Sequence, residues 1–355
     1  MQDSKELKLA NVAYWIIVAA GTIAVLMYFQ NFLKVFCISI LIWYIIKKLR
    51  DLVSKIKIGK FSLPKWLVTI ISTVVVFLAI YSIASIISAN FQSLANNFPI
   101  YSDNITKALV SLEKLLGIKE LDESFIELIG EYKTSIVVYA GSFATLVGQF
   151  LIILIYVIFL LLEESLFQQK IEKVLKTTKA GINIHGTISA VTNLFDDYLS
   201  VKIFTSFLTG LLSYFALLII GIELPALWAF IIFLFNFIPS IGSIVATLFP
   251  ALFGMVQFGE TSVAFTVLVA VGAIQLLVGN FLDPRLMGDR LNISPLVVLL
   301  GLTLWGFMWG VVGMILSVPI TATLIIIFGQ FENTRPLAIL LSKNGEIHFR
   351  KEKQG

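Results

Sequence analysis

Seven stretches of this chain carry no Asp, Glu, Lys or Arg. They are Leu9–Leu33, Trp66–Ser102, Ser135–Leu162, Ile203–Ile222, Leu224–Gly259, Thr261–Leu282 and Leu291–Phe331, of 25, 37, 28, 20, 36, 22 and 41 residues. A helix needs about 20 apolar residues to cross the hydrocarbon of a bilayer. An apolar surface of this extent must face lipid. Composition agrees: 58% of the 355 residues are hydrophobic and 14% are charged, against roughly 25% charged in a soluble domain. The expected fold is an all-α polytopic membrane protein of about six full spans plus two broken or re-entrant helical segments, or about eight spans if each broken run crosses once. The first run is too long for a signal-peptide core and lacks a small-residue cleavage site, so it reads as a retained span. The shorter run Val35–Ile46 follows the lone Lys34, and is expected to pair with Leu9–Gln30 as a tight helical hairpin.

Clustering of the remaining charges sets an orientation. Lys47 to Lys65 holds seven bases against Asp51 alone, which places this loop in the cytoplasm by the positive-inside rule. With two spans before it, the N-terminus is cytoplasmic as well. Asp103 to Lys133 has seven acids and four lysines, suiting the outside. Glu163 to Lys202 has five charges of each sign, and the tail has five bases against three acids; both read as cytoplasmic. The net charge of +4 is therefore topology charge, and nucleic acid is not an expected partner. The expected division is a helical pair and basic loop over 1–65, two spans around an outer amphipathic segment (about 91–134) over 66–162, a cytoplasmic amphipathic segment over 163–202, a transport core over 203–331 and a tail over 332–355. Amphipathic helices are expected around Ile105–Leu116 and Leu121–Tyr132, and again over Leu166–Lys179 and Ile188–Leu199, from apolar residues at 3–4 spacing.

Two apolar runs are interrupted. Leu224–Gly259 contains Asn236, Pro239, Ser240 and Gly242 near its middle; Leu291–Phe331 contains Gly306, Gly310 and Gly313, followed by Pro319. Proline frees a carbonyl and kinks a helix. Backbone groups freed at membrane depth are tolerated only inside protein or beside a water-filled cavity. A pair of interrupted segments points to a transport site; the alternative is two long, kinked spans. Between them lies a polar stretch, Gly279 to Pro295. It carries Asn280, Asp283, Arg285, Asp289, Arg290 and Asn292. It reads as a loop, with Pro284 and Pro295 stopping helices on either side and Gly288 offering a turn. Asp283 with Arg285 is the expected solute or ion contact, the alternative being a salt-bridged interfacial loop; Gln275 is a further hydrogen-bonding candidate. Trp305 and Trp309, at i, i+4 around the glycine break, are expected to pack against the glycines.

Residues Tyr198 to Phe328 resemble the autoinducer-2 exporter family, the PerM-like permeases. The resemblance rests on Ile238-Pro-Ser-Ile-Gly followed by Phe249-Pro, on Asn280 with Asp283-Pro-Arg-Leu-Met-Gly, on Ser294-Pro-Leu-Val-Val-Leu and on Gly310-Val-Val-Gly-Met-Ile-Leu-Ser-Val-Pro. It implies a multi-pass permease of the cell membrane, a homo-oligomer surrounded by lipid. It also implies export of a small polar solute such as autoinducer-2, or exchange of sodium or lithium for protons.

A neutral solute would need Asn236, Ser240, Gln275, Asn280, Asn292 and backbone groups as hydrogen-bonding partners. Cation exchange would need an intramembrane carboxylate, and no acid sits in the middle of any apolar run; Asp283 serves only if its loop folds inward. A membrane scaffold without transport is the third reading. An enzyme is not expected: His185 and His348 have no nearby nucleophile or ligand set in the sequence. No phosphate-binding glycine loop occurs. Two histidines and Cys37 make no case for a four-ligand zinc site, and no metal or cofactor is expected.

Overall fold

The structure, a computed structural model, describes residues 2–55, 64–97, 100–101, 104, 143–177, 184–288 and 291–345. Most of the basic loop, the outer helices expected over Ile105–Tyr132, Asp289, Arg290 and the end of the tail lie outside the described residues. The helices are α1 Gln2–Tyr28, α2 Gln30–Ser54, α3 Lys65–Asn96, α4 Phe143–Thr177, α5 Ile184–Ile220, α6 Pro225–Phe235, α7 Ile241–Phe258, α8 Thr261–Gln275, α9 Asp283–Met287, α10 Pro295–Trp309, α11 Val311–Gln330 and α12 Arg335–Leu341, with a π-helical segment, Leu276–Leu282, joining α8 to α9. Among the described residues six helical stretches are long and apolar enough to cross a membrane, and the bent pair α1–α2 allows a seventh. The expected all-α polytopic class stands.

Each interrupted run folds back on itself. In the first, Trp228 stacks near Phe253 and Phe235 meets Phe249, so α6 and α7 run antiparallel. In the second, Gly313 faces Trp305, Gly306 faces Met314 and Gly301 faces Thr321, again antiparallel. These are hairpins, not long kinked spans. α6, with 11 residues, reaches only ~16 Å at 1.5 Å per residue. The turn of the first hairpin holds Ser240 at φ 59°, a sparsely populated conformation that costs about 1–3 kcal/mol. Gly310, at φ 63°, makes the second turn. Gly306 and Gly313 do not break the helix; they let its two arms close. Pro319 lies inside α11, buried.

The N-terminal pair corrects the expectation of a tight hairpin. α1 and α2 meet at Phe29 with a bend of 77°, and they do not run antiparallel. α2 also passes through Lys34, whose ammonium donates to Gln30 Oε1 at 2.8 Å, so the lone charge lies inside the helix and marks no boundary. The expected inner surface helices are continuations of α4 and α5, which at 35 and 37 residues outrun any bilayer.

α5 is the hub. It packs against α6, α8, the π segment, α9 and α11, while α2, α3 and α4 pack around Ile46, Val76 and Val157. One end of the molecule is basic: Arg50 makes a two-pronged ion pair with Glu164 (2.9 and 2.7 Å), and Lys48 lies 3.5 Å from Asp196. The opposite end is held by a clasp. Tyr101 donates to the Glu223 carboxylate, and the Gln257 amide takes the Glu223 N–H at 2.7 Å while donating to the Gly221 carbonyl at 2.9 Å. Burial first, and the bond to Glu223 second, push the Tyr101 phenol up to about 12.

A methyl group at Gly242 would sit 1.8 Å from the Phe235 carbonyl oxygen, and one at Gly313 would sit 1.9 Å from that of Trp305. Gly242→Ala and Gly313→Ala should each lower unfolding stability in detergent by about 1–3 kcal/mol or prevent folding. Gly272→Ala, with nothing within 4 Å, should stay within about 0.5 kcal/mol of the parent. Equal behaviour of all three would contradict the hairpin geometry. Tyr101→Phe should cost about 1 kcal/mol at neutral pH. The folded state holds the neutral phenol, so this contribution is complete below about pH 10 and is lost as pH rises to about 12. Unfolding curves of parent and variant should converge across that window.

Candidate functional site

A polar stripe runs up the buried face of α5. Lys202, Thr205, Ser206, Thr209 and Ser213 follow 3–4 spacing, and all five are buried. On a helix that spacing puts them on one face. They fall at the edge of, and within, a run that by charge alone reads as an ordinary span. Asn236, at the turn of the first hairpin, reaches this stripe and donates to Ser206 Oγ at 3.1 Å. Gly210, on the next part of α5, lies against Ala229 and Phe233, which brings α6 close along the stripe.

From the other side comes α8 with its continuation. Lys202 Nζ lies 2.6 Å from Asp283 Oδ2, and Thr205 Oγ1 donates to Asp283 Oδ1 at 3.2 Å. Further along, Leu217 of α5 shares a core with Val267 and Val271 of α8. α5 and α8 are thus antiparallel, and Gln275 falls alongside Thr209–Ser213. Gln275 is 6% exposed, yet neither its amide nitrogen nor its oxygen has a hydrogen-bond partner in the protein; nor does Ser213 Oγ. A polar group desolvated without a partner costs about 1–3 kcal/mol by protein mutational measures. A primary amide has two donors and one carbonyl acceptor, so this stretch of the seam carries both kinds of hydrogen-bonding group unsatisfied.

Asp283 departs from the sequence expectation in two ways. It is not in a loop: the helix runs from Thr261 to Met287, and Pro284 does not stop it. The preceding π turn is wider than an α turn, which makes room for the ring that would clash with an i−4 carbonyl. Nor does Asp283 act with Arg285, which projects outward, exposed, while Asp283 turns inward to Lys202. Gly288, at φ 56°, ends the helix, and Pro295 begins α10 as expected.

The remaining candidates spread out. Asn280 and Ser240 are exposed, and Pro239 is half-buried beside the hairpin turn. Asn292 lies in the loop before α10, where its carbonyl accepts Lys343 N–H at 3.2 Å. Gly310, Gly313 and Pro319 belong to the second hairpin, whose Trp305 and Trp309 pack inside and donate to Thr321 Oγ1 at 3.3 Å and the Leu26 carbonyl at 3.2 Å. A cavity of about 350 Å³ lies elsewhere, at the basic end between α2, α3 and α4, beside the Arg50–Glu164 pair. The stripe, Lys202 above all, was missed in the sequence; five polar residues at helical spacing were the signal. Among the described residues no cluster of His, Cys, Asp and Glu is suited to hold a metal.

Gln275→Leu removes the unpartnered groups at nearly constant volume. Unfolding stability in detergent should be unchanged or raised by about 1 kcal/mol, while solute flux falls at least tenfold. A loss above about 2 kcal/mol would instead place Gln275 in an internal network.

Residues 15–333 match the AI-2E family transporter family. The chain is 30% identical over 282 residues to the AI-2 transport protein TqsA of Escherichia coli, covering 78% of this chain and 80% of that one. It is 32% identical over 286 residues to a provisionally named transport protein of Haemophilus influenzae, covering 78% and 82%. It is 33% identical over 222 residues to another of Borreliella burgdorferi, covering 62% of this chain and 57% of that protein. With a broken-hairpin core around a polar seam and a family match across most of its length, the chain belongs to the AI-2E family of transporters.

Proposed function

We propose that this protein is a cell-membrane permease that moves a small polar solute out of the cell by alternating access. The buried polar seam of α5, with Gln275 and Ser213 unpartnered beside it, is the observation that carries the reading. Its mid-section is neutral and bears both donors and acceptors, which suits an uncharged, hydroxyl-rich solute of the autoinducer-2 type. The similarity to TqsA supports the same cargo class. Two hairpins beside one helix suit movement of the C-terminal half against an α2–α3–α4 scaffold.

Lys47, Lys48 and Arg50 share the basic end with Asp283 and the start of α10 through the core joining Tyr44, Tyr198 and Ile293. The positive-inside rule then puts that end, with the C-terminal segment tied to it at Asn292 and Ser294, in the cytoplasm, and Glu223 outside. The thinly buried faces of α3 and α4 are surfaces for lipid or for a second copy in a homo-oligomer.

Purified protein in liposomes loaded with labelled autoinducer-2 should release it several-fold faster than equally loaded liposomes without protein, and Asn236→Leu should cut that rate about tenfold. The matched experiment measures sodium uptake with and without a pH gradient. Sodium–proton exchange without solute release would replace this reading with an antiporter, and no flux of either kind would replace it with a scaffold.

A further inference from the structure

The cavity at the basic end, about 350 Å³, lies between α2, α3 and α4, away from the seam. Small-molecule sites begin at about 300 Å³. Its charged groups are Arg50 and Asp51 of α2, Lys65 of α3 and Glu164 of α4, and Ser54 and Ser165 add hydroxyls. Arg50 and Glu164 cancel each other through their two-pronged bond, at 2.9 and 2.7 Å. Lys65 and Asp51 remain as one cation and one anion. They line the same cavity without pairing with each other, and among the described residues neither forms an ion pair. Both are exposed, so each is open to a guest.

The surroundings fix the depth of this cavity. Trp66, beside Lys65, is 64% exposed, and exposed tryptophan belongs at the membrane interface. Towards the middle of the bilayer, exposed apolar side chains continue on both helices: Ile70 on α3, Phe159 and Leu162 on α4. The cavity thus stands where a lipid headgroup meets its acyl chains. Lys65 also opens α3, and the positive end of a helix dipole favours an anion there.

We propose that this cavity binds the headgroup of a phospholipid carrying both a phosphate and a primary ammonium, a phosphoethanolamine lipid in the leaflet at the basic end. The phosphate accepts from the Lys65 ammonium at the first turn of α3. The lipid ammonium donates to the Asp51 carboxylate, which when ionised only accepts. Arg50 has five N–H donors, of which Glu164 takes two, so it adds positive charge near the phosphate without leaving its pair. A purely anionic headgroup would place like charge beside Asp51, and a quaternary ammonium has no N–H to give it. The site is independent of the transport reading. A lipid held there braces α2, α3 and α4 together at the interface.

Native mass spectrometry of the full protein, taken from micelles with equal amounts of phosphatidylethanolamine, phosphatidylglycerol and phosphatidylcholine, tests the assignment. The parent should retain phosphatidylethanolamine in roughly tenfold preference to either of the others, and Lys65→Gln should lower that retention about tenfold. Asp51→Asn should abolish the preference over phosphatidylglycerol. Lys170→Gln, which removes an exposed charge further along α4, should change neither. Thermal unfolding in detergent is the second readout: phosphatidylethanolamine should raise the midpoint of the parent and leave that of Lys65→Gln in place. Equal retention of the three lipids, phosphatidylglycerol ahead in the parent, or retention untouched by Lys65→Gln would each overturn the proposal. Inorganic phosphate that raises the midpoint as far as the lipid does would assign the cavity to a free anion and overturn it as well.

Discussion

In hydrocarbon a hydrogen-bonding group has no water to fall back on, so each one must find its partner inside the protein or wait for a guest. This condition shapes the molecule at every level. Straight helices satisfy their own backbone, and α3 and α4 do so while burying little of their surface. The chain departs from that economy in the hairpin turns, in the π segment and along the polar face of α5. The turn of the first hairpin and the π segment both abut α5. The serine and threonine hydroxyls of α5 are partly spent on their own helix, as with Thr209 donating to the Thr205 carbonyl at 2.7 Å, and Asn236 takes up Ser206. Beside the middle of the stripe, Gln275 and Ser213 keep unpartnered polar atoms.

α5 is tied at its middle and just past its C-terminal end by chemistry of different strength. At the opposite end the Tyr101–Glu223–Gln257 clasp joins the segment after α3 to the base of the first hairpin. At the basic end Lys202 holds Asp283. The clasp is a set of hydrogen bonds at the end of the bundle, where the two made by Gln257 are open to water. The ion pair is enclosed, and taking one partner away from such a pair typically costs about 3–5 kcal/mol. The clasp is therefore the weaker of the two ties.

Much of this was legible from residue order, and the failures have physical reasons. The two interruptions showed because proline and glycine mark the backbone directly, and Asn236-Phe-Ile-Pro-Ser and Gly310 fall at the turns. The bend at Phe29 did not show, because neither proline nor glycine stands there. Lys202 was read as the last charge of a cytoplasmic segment, since a linear charge map cannot tell a residue that ends a loop from one that turns into the bundle. Asp283 was matched to its sequence neighbour Arg285, but two residues apart on a helix they point to different sides. Pro284 reads as a helix stop in the sequence because the π turn that accommodates it has no distinct sequence pattern. Gln275 was found as a lone amide in a span; its isolation from any partner required coordinates.

The central claim is that the polar face of α5 lines the path of the solute. Single cysteines at Thr205, Thr209 and Ser213, placed in a Cys37→Ser background and reconstituted in liposomes, test it through reaction with a membrane-impermeant thiol reagent. Cysteines at the exposed, apolar Phe204, Phe207 and Leu211 serve as the lipid-facing comparison on the same helix. The account predicts that the stripe positions react, that autoinducer-2 slows them, and that the comparison positions stay inert. Stripe positions as unreactive as their lipid-facing neighbours, in a protein that transports, would contradict it.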